Sequence, residues 1–437
     1  MRRTISRFTR SVLTRLAVPT MQQFLTQRAT LVCGSFLAIA LVSAFLYWLP
    51  IGLTYTPIRF IDAWILAVSA MTATGAATID IVQVCTPLGL TFLVVLIHVG
   101  GVGFMSITLS ILQQFGVRVF RTRQVSGWRL FAGALVIEVW VTVLLALSAS
   151  ETITDYGHRW GNAFWRASIA FANVGFPPLS GSATRIDLPS TAVLAITMLI
   201  GSLGLPVLVD VVTHKKRMPQ TSLNVIITGF LIVGGASAIL LNPLWHVVHT
   251  GLTGFEKGFL ALHEAISWRT SGYLVTSDIM TLSMSTRFML LLGMFLGCAP
   301  GAMGGGITPT TFAVFLSGIL RAVRSDQAVT LFGQRIAPVV VRRAAVIVGV
   351  GISVVLLSAG CLLVIEGVTL AQAMIMATAA FATSNVVVIP YAQLHPASLT
   401  ILSIAMLWGR VGVFAIVLSL YGRATPKSIQ SQHVWLG

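Results

Sequence analysis

Charge is what this sequence has least of. Only 9% of its 437 residues are Asp, Glu, Lys or Arg, whereas a soluble globular protein carries about 25%. A water-facing surface cannot be built from so few charges, so lipid is the implied solvent. Acid is the scarcer sign, with 12 carboxylates against 28 basic residues and a net charge of +16. Cysteine is also sparse. Cys33, Cys85, Cys298 and Cys361 are scattered, with neither metal-ligand spacing nor an adjacent pair, and read as small packing residues. The glycine-rich run 297–312 (GCAPGAMGGGITPTTF) lacks the Lys followed by Ser or Thr that a phosphate-binding loop needs after its last glycine; Ile307 and Thr308 stand there instead. With no metal cluster, nucleophile elbow or nucleotide loop, no enzymatic activity and no bound organic cofactor are expected.

What the chain does have is long apolar runs, 56% of residues being hydrophobic. Runs long enough for a hydrocarbon core, about 20 residues, occur near 30–50, 87–112, 130–149, 188–213, 223–243, 286–320, 344–365 and 397–421. Eight spans are expected. Basic residues segregate to one set of ends: Arg2 to Arg28, Arg118 to Arg129, Lys215 to Arg217, Arg321 to Arg343, then Arg423 and Lys427. By the positive-inside rule these are cytoplasmic, with both termini inside. The excess charge then needs no nucleic-acid partner. The basic N-terminal segment lacks the apolar core of a cleaved signal peptide and fits a short amphipathic helix on the inner leaflet. On the opposite side Asp62, Asp80, Glu151, Asp155, Asp187, Glu256, Glu264 and Asp278 form either an acidic rim that concentrates cations or ordinary solvated loops.

Between paired spans lie segments too short to cross a bilayer: 60–80, 161–181, 258–278 and 369–389. Each reads as a short amphipathic helix, a small or hydroxyl-rich tetrad and an extended tail. Their recurrence at about 100 residues marks an internal repeat of span, re-entrant hairpin and span. The expected class is an all-α integral membrane protein of four pseudo-symmetric repeats. Its boundaries are a cytoplasmic basic segment 1–29, repeats at 30–114, 130–213, 223–320 and 341–421, and a cytoplasmic tail 422–437. Non-helical backbone at membrane depth survives only when buried in protein or lining water, so the four hairpins are expected to converge on an axis.

The tetrads are Thr72-Ala73-Thr74-Gly75, Asn173-Val174-Gly175-Phe176, Thr270-Ser271-Gly272-Tyr273 and Thr383-Ser384-Asn385-Val386. Gly reaches backbone angles that let successive carbonyls point one way, and rings of carbonyls replace a cation's hydration shell. A single such glycine is equally a helix contact; it is the repetition that favours a filter. In the fourth tetrad Asn385 replaces Gly and is expected to keep the bend, being tolerant of left-handed angles. In the sixth span, Pro300, Gly301, Gly304, Gly305, Gly306 and Pro309 cannot sit in a continuous helix. Gly297 and Gly301 have the spacing of a packing motif, but the remaining glycines favour an intramembrane loop able to occlude a pore. Arg410, within WGRVGVF, is an ionisable group at membrane depth, either bonded to that loop's freed carbonyls or snorkelling to the cytoplasm. Glu138 poses the same question and is read as a structural polar contact.

These motifs together resemble the Trk, Ktr and HKT superfamily of potassium transporters, over residues 30–421. SAMTATGA (69–76), AFANVGF (170–176) and WRTSGY (268–273) look like its first three filters, and APGAMGGGITPTTF (299–312) like its gating loop. HVGGVGFMSI (98–107), GSLGLPVLVD (201–210), FGQRI (332–336) and GRVG (409–412) match further family patterns. The resemblance implies a homodimer with one pore per subunit, cytosolic nucleotide-binding regulatory subunits of the RCK type, and a bacterial inner-membrane location. It also implies K⁺ held at Thr74, Val174, Ser271 and Ser384, a gate in the 300–309 loop and a latch at Arg410. Two positions depart from the pattern: Thr308 stands where a basic residue usually follows the triple glycine, and Asn385 where the fourth filter glycine stands. K⁺ uptake through a gated pore is the expected function. The alternatives are a Na⁺-permeable or coupled carrier, or a non-conducting membrane scaffold or sensor.

Overall fold

In the computed structural model the described residues are 31–107, 127–148, 156–179, 188–213, 219–271, 279–323, 329–331 and 334–412. The basic N-terminal segment, Gly272 and Tyr273, most of the basic connections and the tail after 412 lie outside them. The protein is an all-α membrane protein. Its one sheet among the described residues is a small antiparallel hairpin of Val329–Leu331 and Gln334–Ile336.

Five helices are long and apolar enough to cross a membrane unaided: Leu31–Trp48, Pro87–Ile107, Phe131–Ser148, Thr221–Leu240 and Pro338–Glu366. The other three expected spans are interrupted. Leu188–Thr213 breaks at Gly204, whose φ of 75° and ψ of 152° are non-helical. The sixth is split into Met284–Phe295 and Pro309–Val323 by a loop. The last runs as Pro396–Leu407 and passes into a π-turn at Trp408–Gly412. Large apolar side chains such as Leu41, Val136, Phe230, Leu357 and Val364 point outward from these helices, as a lipid-facing surface requires.

Four shorter helices, Phe60–Thr72, Tyr156–Phe171, Gly254–Thr270 and Leu370–Ala382, stand among the long ones. Phe60–Thr72 packs on Pro87–His98 and Pro396–Leu407, Tyr156–Phe171 on the second pair of long helices, Gly254–Thr270 on Pro219–Leu240 and Met284–Phe295, and Leu370–Ala382 on Pro338–Glu366 and Pro396–Leu407. Two of them start in capping boxes, Thr253 with Glu256 and Thr369 with Gln372, which satisfy orphan N–H groups reciprocally. The Thr253 backbone N–H and hydroxyl hold the Glu256 carboxylate below its ordinary range.

The described carboxylates of the expected outer side take up local contacts. Asp62 is buried, gripped by Arg59 at 2.8 and 3.0 Å and by the Thr78 hydroxyl at 2.7 Å. Asp80 caps the turn Ile81–Val84, Glu256 serves its capping box, and Glu264 is fully buried. Glu151, Asp155, Asp187 and Asp278 lie outside the described residues. Cysteine packing is likewise uneven, since Cys85 and Cys298 are buried whereas Cys361 is exposed.

Candidate ion pathway and its gate

Three of the short helices end in one and the same way. The first or second residue after the helix adopts a left-handed conformation, at Ala73 (φ 62°), Asn173 (φ 55°) and Thr383 (φ 54°). In each, its N–H bonds back three residues, to Ala70, Ala170 or Ala380, and the next N–H bonds back five, to Ser69, Ile169 or Ala379. This is the Schellman closure, which normally uses Gly at the left-handed position. A residue with a Cβ there costs about 1–2 kcal/mol, so the surrounding packing holds three strained turns. The third helix differs: Ser271 stays right-handed at φ −118°, and its N–H still bonds Ser267 O in the helical manner.

The turns aim the next two residues of each segment at one another. Gly175 N–H donates to Thr74 O at 3.1 Å, and Asn385 N–H to Ser271 O at 3.2 Å. A Cβ on Gly75 would fall 2.3 Å from Gly175 N, and one on Gly175 would fall 2.3 Å from Asn385 Cβ and 2.4 Å from Ser271 O. All four candidate filter segments therefore meet in backbone contact. Thr72, Thr74, Val174, Thr270, Ser271, Thr383 and Ser384 are buried there; Gly272 is outside the described residues.

The reason for glycine here differs from the sequence expectation. Of the two described filter glycines, only Gly75 has positive φ (91°); Gly175 is needed because no side chain fits between segments. Asn385 does not occupy a left-handed position either, since the bend belongs to Thr383. Its side chain reaches across instead, and Nδ2 donates to Gly175 O at 2.8 Å.

The helix ends rest on the wall helices through a second set of glycines. A Cβ on Gly100 would meet Met71 O at 1.9 Å, one on Gly201 would meet Phe171 O at 2.1 Å, and one on Gly409 would meet Phe381 O at 1.7 Å. The three carbonyls hold the same place, two residues before the left-handed turn. The wall is irregular at these contacts: π-turns at Val99–Gly103 and Trp408–Gly412, and the Gly204 break beyond Gly201. The sequence reading gave the glycines of HVGGVGF, GSLGLP and GRVG no role of their own; the signal was a glycine at one position in each wall helix.

Where the third wall helix opens, residues 296–308 form a buried loop. After Pro300, Gly301 (φ 78°) and Gly306 (φ 84°) have positive φ, and Gly304 and Gly305 lie between them with Met303 fully buried. Ala299 and Met303 donate N–H to Ser202 O and Gly201 O at 3.0 and 3.2 Å, Cys298 to Gly305 O at 3.2 Å, and Gly305 to the Thr383 hydroxyl at 2.7 Å. Thus the loop bonds directly to the fourth filter turn. Gly297 packs against Gly305 within this fold-back, and Gly301 O lies against Gly204 of the second wall helix. Thr308 belongs to the next helix, accepting from Thr311 N–H at its start.

Arg410 is 6% exposed, which excludes snorkelling. Its guanidinium donates to Met303 O in the loop and to Gly100 O (3.0 Å) and Gly101 O (3.3 Å) in the first π-turn, and lies 5.8 Å from the Phe104 ring centroid. Arg269 has a comparable setting at the other end of the loop and was missed from sequence, although a basic residue next to a filter tetrad was visible in WRTSGY. Glu138, 1% exposed, pairs with His98 Nε2 at 2.6 Å. Among the described residues no cluster of His, Cys, Asp or Glu could hold a metal ion.

A family profile described as TrkH, cation transport protein, matches residues 255–425. The chain is 27% identical over 421 residues to the Ktr system potassium uptake protein B of Bacillus subtilis, covering 90% of this chain and 93% of that one. It is also 27% identical to the Ktr system potassium uptake protein D of the same organism, covering 86% and 88%. It is 24% identical to the potassium/sodium uptake protein NtpJ of Enterococcus hirae, covering 84% and 86%. The fold is similar to the crystal structure of the potassium transporter TrkH from Vibrio parahaemolyticus, with a TM-score of 0.70, 17% identity, and coverage of 90% and 84%. Profile, relatives and fold agree in their likeness to the Trk and Ktr membrane subunits.

Proposed function

We propose that this chain is the membrane subunit of a K⁺ uptake system, conducting the ion through a filter assembled from the backbone of four repeats. The carrying observation is the mutual backbone contact of Gly75, Gly175, Ser271 and Asn385. Carbonyl oxygens brought that close, with no carboxylate among them, suit a dehydrated monovalent cation. In this reading Thr74, Val174, Ser271 and Ser384 supply the coordinating carbonyls. The loop 300–309 is the gate and Arg410 its latch, since opening the loop requires Met303 O to leave a buried guanidinium. The names of the Ktr relatives support potassium as the ion.

A bacterial inner-membrane location, both termini inside, a homodimer and cytosolic nucleotide-binding subunits on the basic face complete the reading. Domain boundaries follow the repeats 30–114, 130–213, 223–320 and 341–421. Rubidium-86 uptake into proteoliposomes holding this chain alone, competed with K⁺ or Na⁺, tests it. Competition by K⁺ only supports the reading; equal competition by Na⁺ replaces it with a Na⁺-permeable pathway; absence of uptake, with and without added regulatory subunit, refutes conduction.

A further inference from the structure

Arg269 is a buried cation that the filter-and-latch reading does not use. It is 2% exposed, in the last turn of Gly254–Thr270 and one residue from the third filter segment. Nη2 donates to Gly297 O, at the loop's upstream end, at 2.8 Å. Nη1 approaches the Ser202 hydroxyl at 3.5 Å, and no carboxylate pairs with it among the described residues. A guanidinium kept in a membrane interior by neutral acceptors alone is costly, and removing one of those acceptors strands the charge.

Its neighbours close a circuit. Oriented to satisfy both ends, the Asn173 amide donates to Thr270 Oγ1 at 2.8 Å and Met198 O at 3.2 Å, and accepts from Ser202 N–H at 3.1 Å. Ser202 O accepts from Ala299 N–H in the loop, and the Ser271 hydroxyl donates to Met198 Sδ at 3.0 Å. From Arg269 the path thus runs through Gly297 and Ala299 of the loop, Ser202 of the wall, Asn173 of the second filter turn, and Thr270 back to Arg269. The planar fork of arginine can engage two elements at once; the single ammonium of lysine cannot reproduce it.

Building on the proposed transport reading, we infer that Arg269 is a positioning residue that fastens the gate loop to the second and third filter segments, so that loop opening and ion discrimination are mechanically coupled. Arg410 clamps the middle of the same loop to the first and fourth repeats, and the Gly305 N–H meets the Thr383 hydroxyl of the fourth filter turn, while Arg269 ties the loop to the second and third filter segments.

The test uses the full chain with Cys33, Cys85 and Cys361 replaced by Ala, leaving Cys298, buried in the loop beside Gly297, as a native reporter. In proteoliposomes, R269K and R269Q are each expected to speed N-ethylmaleimide modification of Cys298 about tenfold, the order of one lost charge-assisted hydrogen bond. They are also expected to raise the Na⁺ to Rb⁺ permeation ratio several-fold. S202A, which keeps the charge, is expected to move both readouts the same way but less, and stands in if the arginine variants do not fold. R410K is expected to speed modification and flux at an unchanged ion ratio. An unaltered thiol rate in R269K and S202A overturns the clamp. A faster rate at an unchanged ion ratio overturns the coupling. A parent that moves no cation defeats the transport reading and the coupling with it, while the clamp still stands or falls on the thiol rate.

Discussion

The first, second and fourth short helices and the third solve one problem differently. In the three, a strained left-handed residue turns the chain, and a glycine of an unbroken or merely kinked wall helix receives the helix end at van der Waals range or closer. In the third, Ser271 stays right-handed, the wall helix is open over residues 296–308, and a loop with an arginine fills the place of that contact. The lesson is that rigidity and movability are distributed by segment. Three quarters of the ring is fixed by backbone abutment, and the remaining quarter is held by hydrogen bonds that can exchange.

The comparison breaks most severely at Gly409. Valine there would drive its Cβ into Phe381 O, a fixed backbone atom, and the variant is expected to lose monodisperse protein on size-exclusion chromatography and all rubidium uptake. Gly304→Ala is the control. Its Cβ meets the Cys298 sulfur at 2.4 Å, the end of a side chain that can rotate, and folded yield close to the parent is expected. If both substitutions are tolerated alike, backbone abutment does not set the ring.

Deleting 301–306 is expected to raise rubidium flux about tenfold or more, because it removes the segment proposed to occlude the pore and leaves the glycine seats at Gly100, Gly201 and Gly409 in place. A folded deletion protein with parental flux would sink the gate. A smaller effect is expected for Asn385→Gly, which frees Gly175 O from the amide and should shift the reversal potential toward greater K⁺ preference by a few-fold in permeability ratio. The smallest is Ala73→Gly. Relief of its left-handed strain should stabilise by about 1 kcal/mol, read as a rise in thermal midpoint. Ser271→Gly, at a right-handed position, should give no such rise, and equal shifts would remove the distinction between the third turn and the rest.

Much of this architecture was legible because membranes punish irregular backbone. Pro300 and the glycines of 301–306 could only mean an open helix, and the recurring tetrads located the segments that meet. Arg410 was legible as a buried cation, and Met303 O is among its acceptors. What the residues could not disclose was which atom of a motif performs which task. Glycine at 175 looked like a conformational requirement and is a steric one; Asn385 looked like a bend and is a cross-segment donor. Left-handed turns at Ala73 and Thr383 carry no residue signature, because packing overrides the local preference. Arg269 was in view within WRTSGY, yet its importance depends on Gly297 and Ser202, far away in the chain.

The glycine seats also bear on how the pathway's width can change. At Gly100, Gly201 and Gly409 the helix ends touch the wall with no side chain between them, so there is nothing to trim and no rotamer to switch. Bore is then a distance between main chains, set by where whole helices stand. Fine adjustment of the opening by local substitution is confined to the third segment and to Asn385, while anything that widens the rest must displace a wall helix as a body.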